Sequence, residues 1–200
     1  MHPDFKKRFQ LTALLCVTVI ICAAQQEKEN GLIRFHSINQ VGFLDGLPAS
    51  SWQLQSVNGI QYKSWFGGIG AGLDYYRFRG IPVFADIRKS FGHTKNKLFI
   101  YGDGGIHFVR ATNSEKTPFG IADHFSNGVY LDAGMGYQIR INRKNAFLIS
   151  LGYSYKTAKE TTTRYLFPPT YVMIGSPYPE TNRYNYHLNR ISLKVGWAIN

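Results

Sequence analysis

Asp74, Asp86, Asp103 and Asp132 recur through the middle of this chain, together with Arg88, Arg140, Lys156, Arg190, Lys194 and His107. Paired carboxylates, or a carboxylate beside an imidazole, can carry out general acid–base catalysis. The same residues can also neutralise one another inside a closed wall, because charges removed from bulk water need partners. Four acids against five Lys and Arg is close to balance, which favours a structural charge network over a reaction centre. Other starting points for chemistry are weaker. His36 precedes Ser37, and His187 stands near the C-terminal end, but neither pairs a base with a nucleophile. His93, His107 and His124 lack metal-ligand spacing. The stretch GIGAGLD, residues 68–74, resembles a dinucleotide-binding glycine loop, but that loop requires a helix after it, and YYRFRGIP cannot open one. The expectation is a protein that is not an enzyme, with no catalytic, cofactor-binding or metal-binding residues.

The charged residues sit in segments of about ten residues with period-2 alternation, a strand rather than a helix pattern. Eight such segments are read: 32–43, 51–61, 65–76, 81–90, 98–110, 128–141, 145–156 and 188–199. The first two are weakly patterned and the last six are clear. In 65–76, Trp65, Ile69, Ala71, Leu73 and Tyr75 share one face, opposite Gly68, Gly70, Gly72 and Asp74. The same division sets Ile81, Val83, Ala85 and Ile87 against Phe84, Asp86 and Arg88. It recurs with Leu131, Ala133 and Met135 against Asp132, Gly134 and Gly136. Most strand glycines therefore share a face with the charges, opposite a continuous apolar face. A narrow polar lumen needs small residues beside its charged ones, and an outer wall in lipid needs an apolar face. Aromatic residues gather towards the two ends of the apolar face, matching the two interfaces of a bilayer. The connections alternate in length. Residues 62–64, 91–97 and 142–144 are short, whereas 44–50, 77–80, 111–127 and 157–187 are mostly longer. Such asymmetry marks bacterial outer-membrane barrels. The last connection is too Pro-rich for strand pairing throughout.

Residues 1–24 have the layout of a secretory signal peptide: a basic FKKRF, the 14-residue apolar run LTALLCVTVIICAA, and small residues before a cleavage point after Ala24. Both cysteines, Cys16 and Cys22, fall within it, so disulfides and thiol chemistry are not expected of the exported chain. Loss of Asp4, Lys6, Lys7 and Arg8 with that segment takes the net charge from +11 to +9. A basic exported protein meets anionic headgroups rather than nucleic acid. Residues 25–31 form a polar lead-in, and 32–200 the barrel domain.

The stretch WFGGIGAGLDYYRFRGIPVFADIRKSFG, residues 65–92, resembles the glycine-rich strand, loop and following strand of the PorT-like outer-membrane β-barrel family, and more broadly barrels of the OmpA/OmpX type. The resemblance implies no catalytic residues and allows a part in secretion or assembly. The family's last strand ends on an aromatic residue read by the outer-membrane assembly machinery; here VGWAIN places Ile199 in that position.

The reading is an all-β protein, an eight-stranded antiparallel up-and-down transmembrane β-barrel in the outer membrane, with a structural or surface-interaction role. Expected partners are outer-membrane lipid and lipopolysaccharide, the assembly machinery, and a surface glycan or protein met through 111–127 and 157–187. Two alternatives remain at this stage: a soluble lipocalin-like carrier with its apolar face inward, and a lipid-modifying outer-membrane enzyme. Fractionation separates the first from the barrel. Membrane-extracted protein should migrate differently on gels with and without boiling; soluble periplasmic protein with no shift would turn the apolar face inward.

Overall fold

The computed structural model describes residues 33–47, 49–75, 79–92, 95–109, 122–166 and 178–199. Residues 1–24 and 25–31, read from the sequence as a signal peptide and a lead-in, and His93 lie outside the described residues. Strands β1 (Ile33–Asp45), β2 (Ser51–Tyr62), β3 (Trp65–Tyr75), β4 (Arg79–Phe91) and β5 (Lys97–Val109) are followed by a short β6 (Ala122–Ser126). Then come β7 (Gly128–Arg140), β8 (Asn145–Leu166) and β9 (Tyr178–Ile199). Neighbours pair antiparallel from β1 to β5, then β5 with β7, β7 with β8 and β8 with β9. Strand β9 pairs back onto β1, with Ser37 opposite Ile199 and Asp45 opposite Ile191, and closes an eight-stranded barrel. Closure leaves the barrel itself no unpaired edge, the condition for placing strands in lipid.

Both ends of the described barrel chain, β1's start and β9's finish, lie at the end with the tight turns. There Lys63 takes a φ of 53° in the two-residue turn joining β2 and β3. Asn142 Oδ1 accepts from the backbone N–H groups of Lys144 (2.8 Å) and Asn145 (2.7 Å) in the β7–β8 turn.

Two connections depart from the sequence reading. The segment 157–187 is largely strand: β8 and β9 continue as a paired ladder to Leu166 opposite Tyr178. Within 111–127, β6 pairs with the β8 extension, Ala122 opposite Thr163 and Ser126 opposite Lys159. The reason lies in the flanks. TTTRY and RYNYH are rich in the β-branched and aromatic residues that favour strands. Pro168, Pro169 and Pro177 fall within 167–177, outside the described residues.

The strand faces follow the period-2 reading. Phe84, Asp86 and Arg88 are buried, while Val83 and Ile87 are exposed. The interior is a mixed plug: Ile38, Val57, Phe66, Phe84, Phe99, Tyr101, Tyr130 and Leu148 form an apolar cluster, and polar groups surround it. The glycines make this packing possible. A Cβ on Gly70 would lie 2.6 Å from the Phe84 ring, whereas one on Gly67, on the outer wall, would meet nothing within 4 Å. Gly70→Val should therefore destabilise the barrel by about 1–3 kcal/mol through overpacking. Gly67→Val should be neutral or stabilising. Urea unfolding in lipid vesicles compares them.

Candidate functional site: the charged lumen

Backbone register sets three aspartates side by side. Asp86 pairs with Asp103 across β4 and β5, and Asp103 with Asp132 across β5 and β7. Like charges placed directly opposite repel, so this row requires cations. Arg88, two residues along β4 on the same face, grips Asp86 with Nε at 2.9 Å and Nη2 at 2.6 Å from Oδ2. Lys194, from β9, reaches over with Nζ 2.9 Å from Asp132 and 3.5 Å from Asp103. Aromatic rings complete their surroundings. Arg88 stands 5.6 Å from the Tyr101 ring centroid and 5.7 Å from that of Phe99, and Lys194 is 4.5 Å from Tyr101. Cations held over ring faces gain from the ring quadrupole.

A second group sits nearer the end with long connections. Lys156 pairs with Asp74, and His107 Nε2 lies 3.8 Å from the other Asp74 oxygen. Gly80 is the condition for this approach, since a Cβ there would fall 2.9 Å from Asp74 Oδ1 and against the His107 ring. Arg190 donates to Ser51 at 2.8 Å. The two groups meet at Tyr130, whose ring centroid lies 5.0 Å from Lys156 Nζ and whose hydroxyl donates to Asp132 at 3.4 Å. Gln40 donates to Gln55 (2.6 Å), Gln55 to the Tyr130 hydroxyl (2.7 Å), and Tyr101 to Asp132 (2.9 Å).

The structure thus places Asp74, Asp86, Arg88, Asp103, Asp132, Lys156, Arg190 and Lys194 in the lumen, each at most 5% exposed. Arg140 differs. It has the inward parity, but lies at the exposed last position of β7, beyond the filled interior. Without it the lumen holds four acids and four Lys and Arg, a closer balance than the sequence suggests. Gln40, Gln53, Gln55, Ser51 and His36 also face inward, residues that the weak patterning of the first two segments concealed. Their signal was a period-2 run of Ser51, Gln53 and Gln55. His124 is exposed on β6, and His187 accepts or donates a 2.8 Å bond to the Tyr155 hydroxyl at the top of the outer wall.

Chemically this arrangement neutralises. One cavity of about 20 Å³ lies in the lumen beside His36, Phe66, Arg88 and Phe99 at the tight-turn end. That is about enough for a single water. No helix of the described residues is long and apolar enough to cross a membrane. Outward, Ile69 (71% exposed), Met135 (64%) and Leu98 (59%) belong to an extensive apolar wall. Such a wall far exceeds the patches soluble monomers carry, and its polar interior inverts the arrangement of a soluble carrier.

No protein-family model matches the chain, and no curated protein sequence does. Solved structures do. OprG, an outer membrane protein from Pseudomonas aeruginosa, aligns with a TM-score of 0.52 at 11% identity, over 82% of this chain and 94% of its own. Neisserial surface protein A aligns with a TM-score of 0.48 at 10% identity, over 86% of this chain and 99% of its own.

Removing a lumen cation tests the network. Lys194→Met and Arg88→Ala each leave buried carboxylates uncompensated and should cost about 3–5 kcal/mol. Arg140→Ala should change stability by less than about 0.5 kcal/mol. The midpoint of the heat-induced gel shift reads both. The closed wall, its apolar exterior and its charged lumen together give this chain the fold of an outer-membrane β-barrel.

Proposed function

We propose that this barrel is a non-catalytic structural and surface-interaction protein that holds anionic headgroups around its two rims. The observation that carries the proposal is the segregation of charge. The lumen is balanced, so the chain's excess positive charge lies outside it. At the tight-turn end Lys63, Lys89, Lys95, Arg140, Arg143 and Lys144 ring the mouth, and no described residue of that rim is acidic. Lys89 lies 4.8 Å over the Trp65 ring, and Lys63 lies 5.2 Å over Tyr62. Cations paired with belt aromatics stand at headgroup level.

At the opposite end the β8–β9 extension rises directly above Tyr155. Its outward face carries Lys159, Thr161, Thr163, Thr181, Arg183 and Asn185, joined by His124 of β6. Glu160 points to the other face, where it accepts from Tyr186 at 2.6 Å. Hydroxyls and amides beside Lys and Arg suit phosphate and sugar, the groups lipopolysaccharide presents there. The PorT-like wording of residues 65–92 falls in β3 and β4, where Gly70 makes room for Phe84; it supports shared architecture.

Each basic residue near an anionic surface is worth about 1 kcal/mol. The variant Lys159→Gln/Arg183→Gln should therefore retain tens-fold less lipopolysaccharide in salt-sensitive binding to the refolded barrel, while Arg143→Gln/Lys144→Gln should lose preference for phosphatidylglycerol vesicles over phosphatidylcholine. Equal retention by wild type and both variants would remove the basis for this function.

A further inference from the structure

The outer wall has one interruption. On β1 the outward positions between Phe35 and Phe43 are Ser37, Asn39 and Val41; on β2, between Trp52 and Tyr62, they are Leu54, Ser56, Asn58 and Ile60. Asn39 lies opposite Ser56, and Ser37 opposite Asn58. Asn39 is four residues from an outward aromatic on either side, which places it near mid-depth of a strand crossing. Elsewhere among the described residues, every outward position between the aromatic belts is apolar or glycine.

Polar side chains facing hydrocarbon are costly unless paired. The structure supplies one bond, Ser56 Oγ donating to Asn39 Oδ1 at 2.8 Å. It leaves the Asn39 amide nitrogen and the Asn58 amide without a protein partner among the described residues. Asn39 and Ser56 also form the floor of a groove of about 630 Å³, walled by Val41, Leu54, Leu73, Phe147, Val195 and Trp197.

We propose that this face binds a second copy of the chain within the membrane. Three features select that occupant. A two-fold axis normal to the bilayer brings the same residues together at the same depth. Each carboxamide both donates and accepts, so the polar centre is complementary to itself. No other described part of the outer wall presents polar groups at this depth, so a head-to-tail contact has nothing to pair with. The apolar walls of the two grooves meet around the polar centre and exclude lipid from it, and interhelical-type hydrogen bonding of this kind holds membrane segments together.

Cross-linking in outer membranes tests this, in a Cys16→Ser/Cys22→Ser background so that only the introduced thiol reacts. Asn58→Cys should give an oxidised band at twice the monomer mass. Ile106→Cys, exposed on β5 of the opposite wall, should not. Adding Asn39→Leu/Ser56→Leu to Asn58→Cys should lower the dimer yield about tenfold. The same two leucines should leave the heat-modifiable gel shift intact, since they extend the apolar wall. Equal cross-linking at positions 58 and 106, a cross-link only to a partner of different mass, or no cross-link from folded protein would each overturn the second copy as occupant.

Discussion

The row Asp86–Asp103–Asp132 constrains the rest of the interior. Three carboxylates on adjacent strands repel unless cations reach them, and the cations arrive from two directions. Arg88 comes from the same strand as Asp86, and Lys194 from β9, two strands along the wall from β7. For Lys194 to reach past β8 to Asp132 and Asp103, the inner face of β7 and β8 beneath it must hold only thin side chains. That is what the inward glycines provide. A Cβ on Gly134 would fall 2.9 Å from the Tyr101 hydroxyl, and one on Gly152 would press against the same oxygen. Tyr101 in turn hydrogen-bonds Asp132 and carries Lys194 over its ring. Glycine face and charge row are therefore one device.

This device also explains why the wall must close. Eight strands leave an interior that side chains just fill. An open sheet would expose the aspartate row to water on one side and an unpaired edge to lipid on the other. Closure of β9 onto β1 removes both problems.

Much of this was legible in the sequence because a strand's side-chain period is two and membrane barrels keep strict faces. From Trp65 onward, alternation alone placed Asp74, Asp86, Asp103, Asp132 and Lys194 on the inner face. What alternation cannot give is height. Arg140 has the right parity, yet β7 ends there, so its guanidinium meets solvent rather than aspartate. The first two strands were poorly legible for a different reason. Ile38, Leu44 and Val57 point inward while Ser37, Asn39, Ser56 and Asn58 point outward, which inverts the polarity that identifies a lipid-facing strand. The β8–β9 extension was obscured by composition. Prolines near its middle read as a loop, although its threonines and tyrosines form a ladder on either side.

On the proposed reading, a filled lumen moves function to the outside of the wall. With four acids and four Lys and Arg closing on one another in the interior, little field leaks from it, and the chain's excess positive charge is expressed at its rims. The rims differ in how they present that charge. Tight turns hold the lower ring close to the wall, where its stems lie along aromatic rings. The β8–β9 extension instead lifts Lys159 and Arg183 clear of the apolar belt on a paired ladder, so backbone hydrogen bonds fix their spacing. Paired strands lose little conformational entropy when a ligand binds, whereas a flexible loop of that length would have to be ordered first. On the proposed reading, building the basic face on strands makes a surface ready for repeated anionic groups, and the neutral interior beneath it keeps the barrel from competing for them.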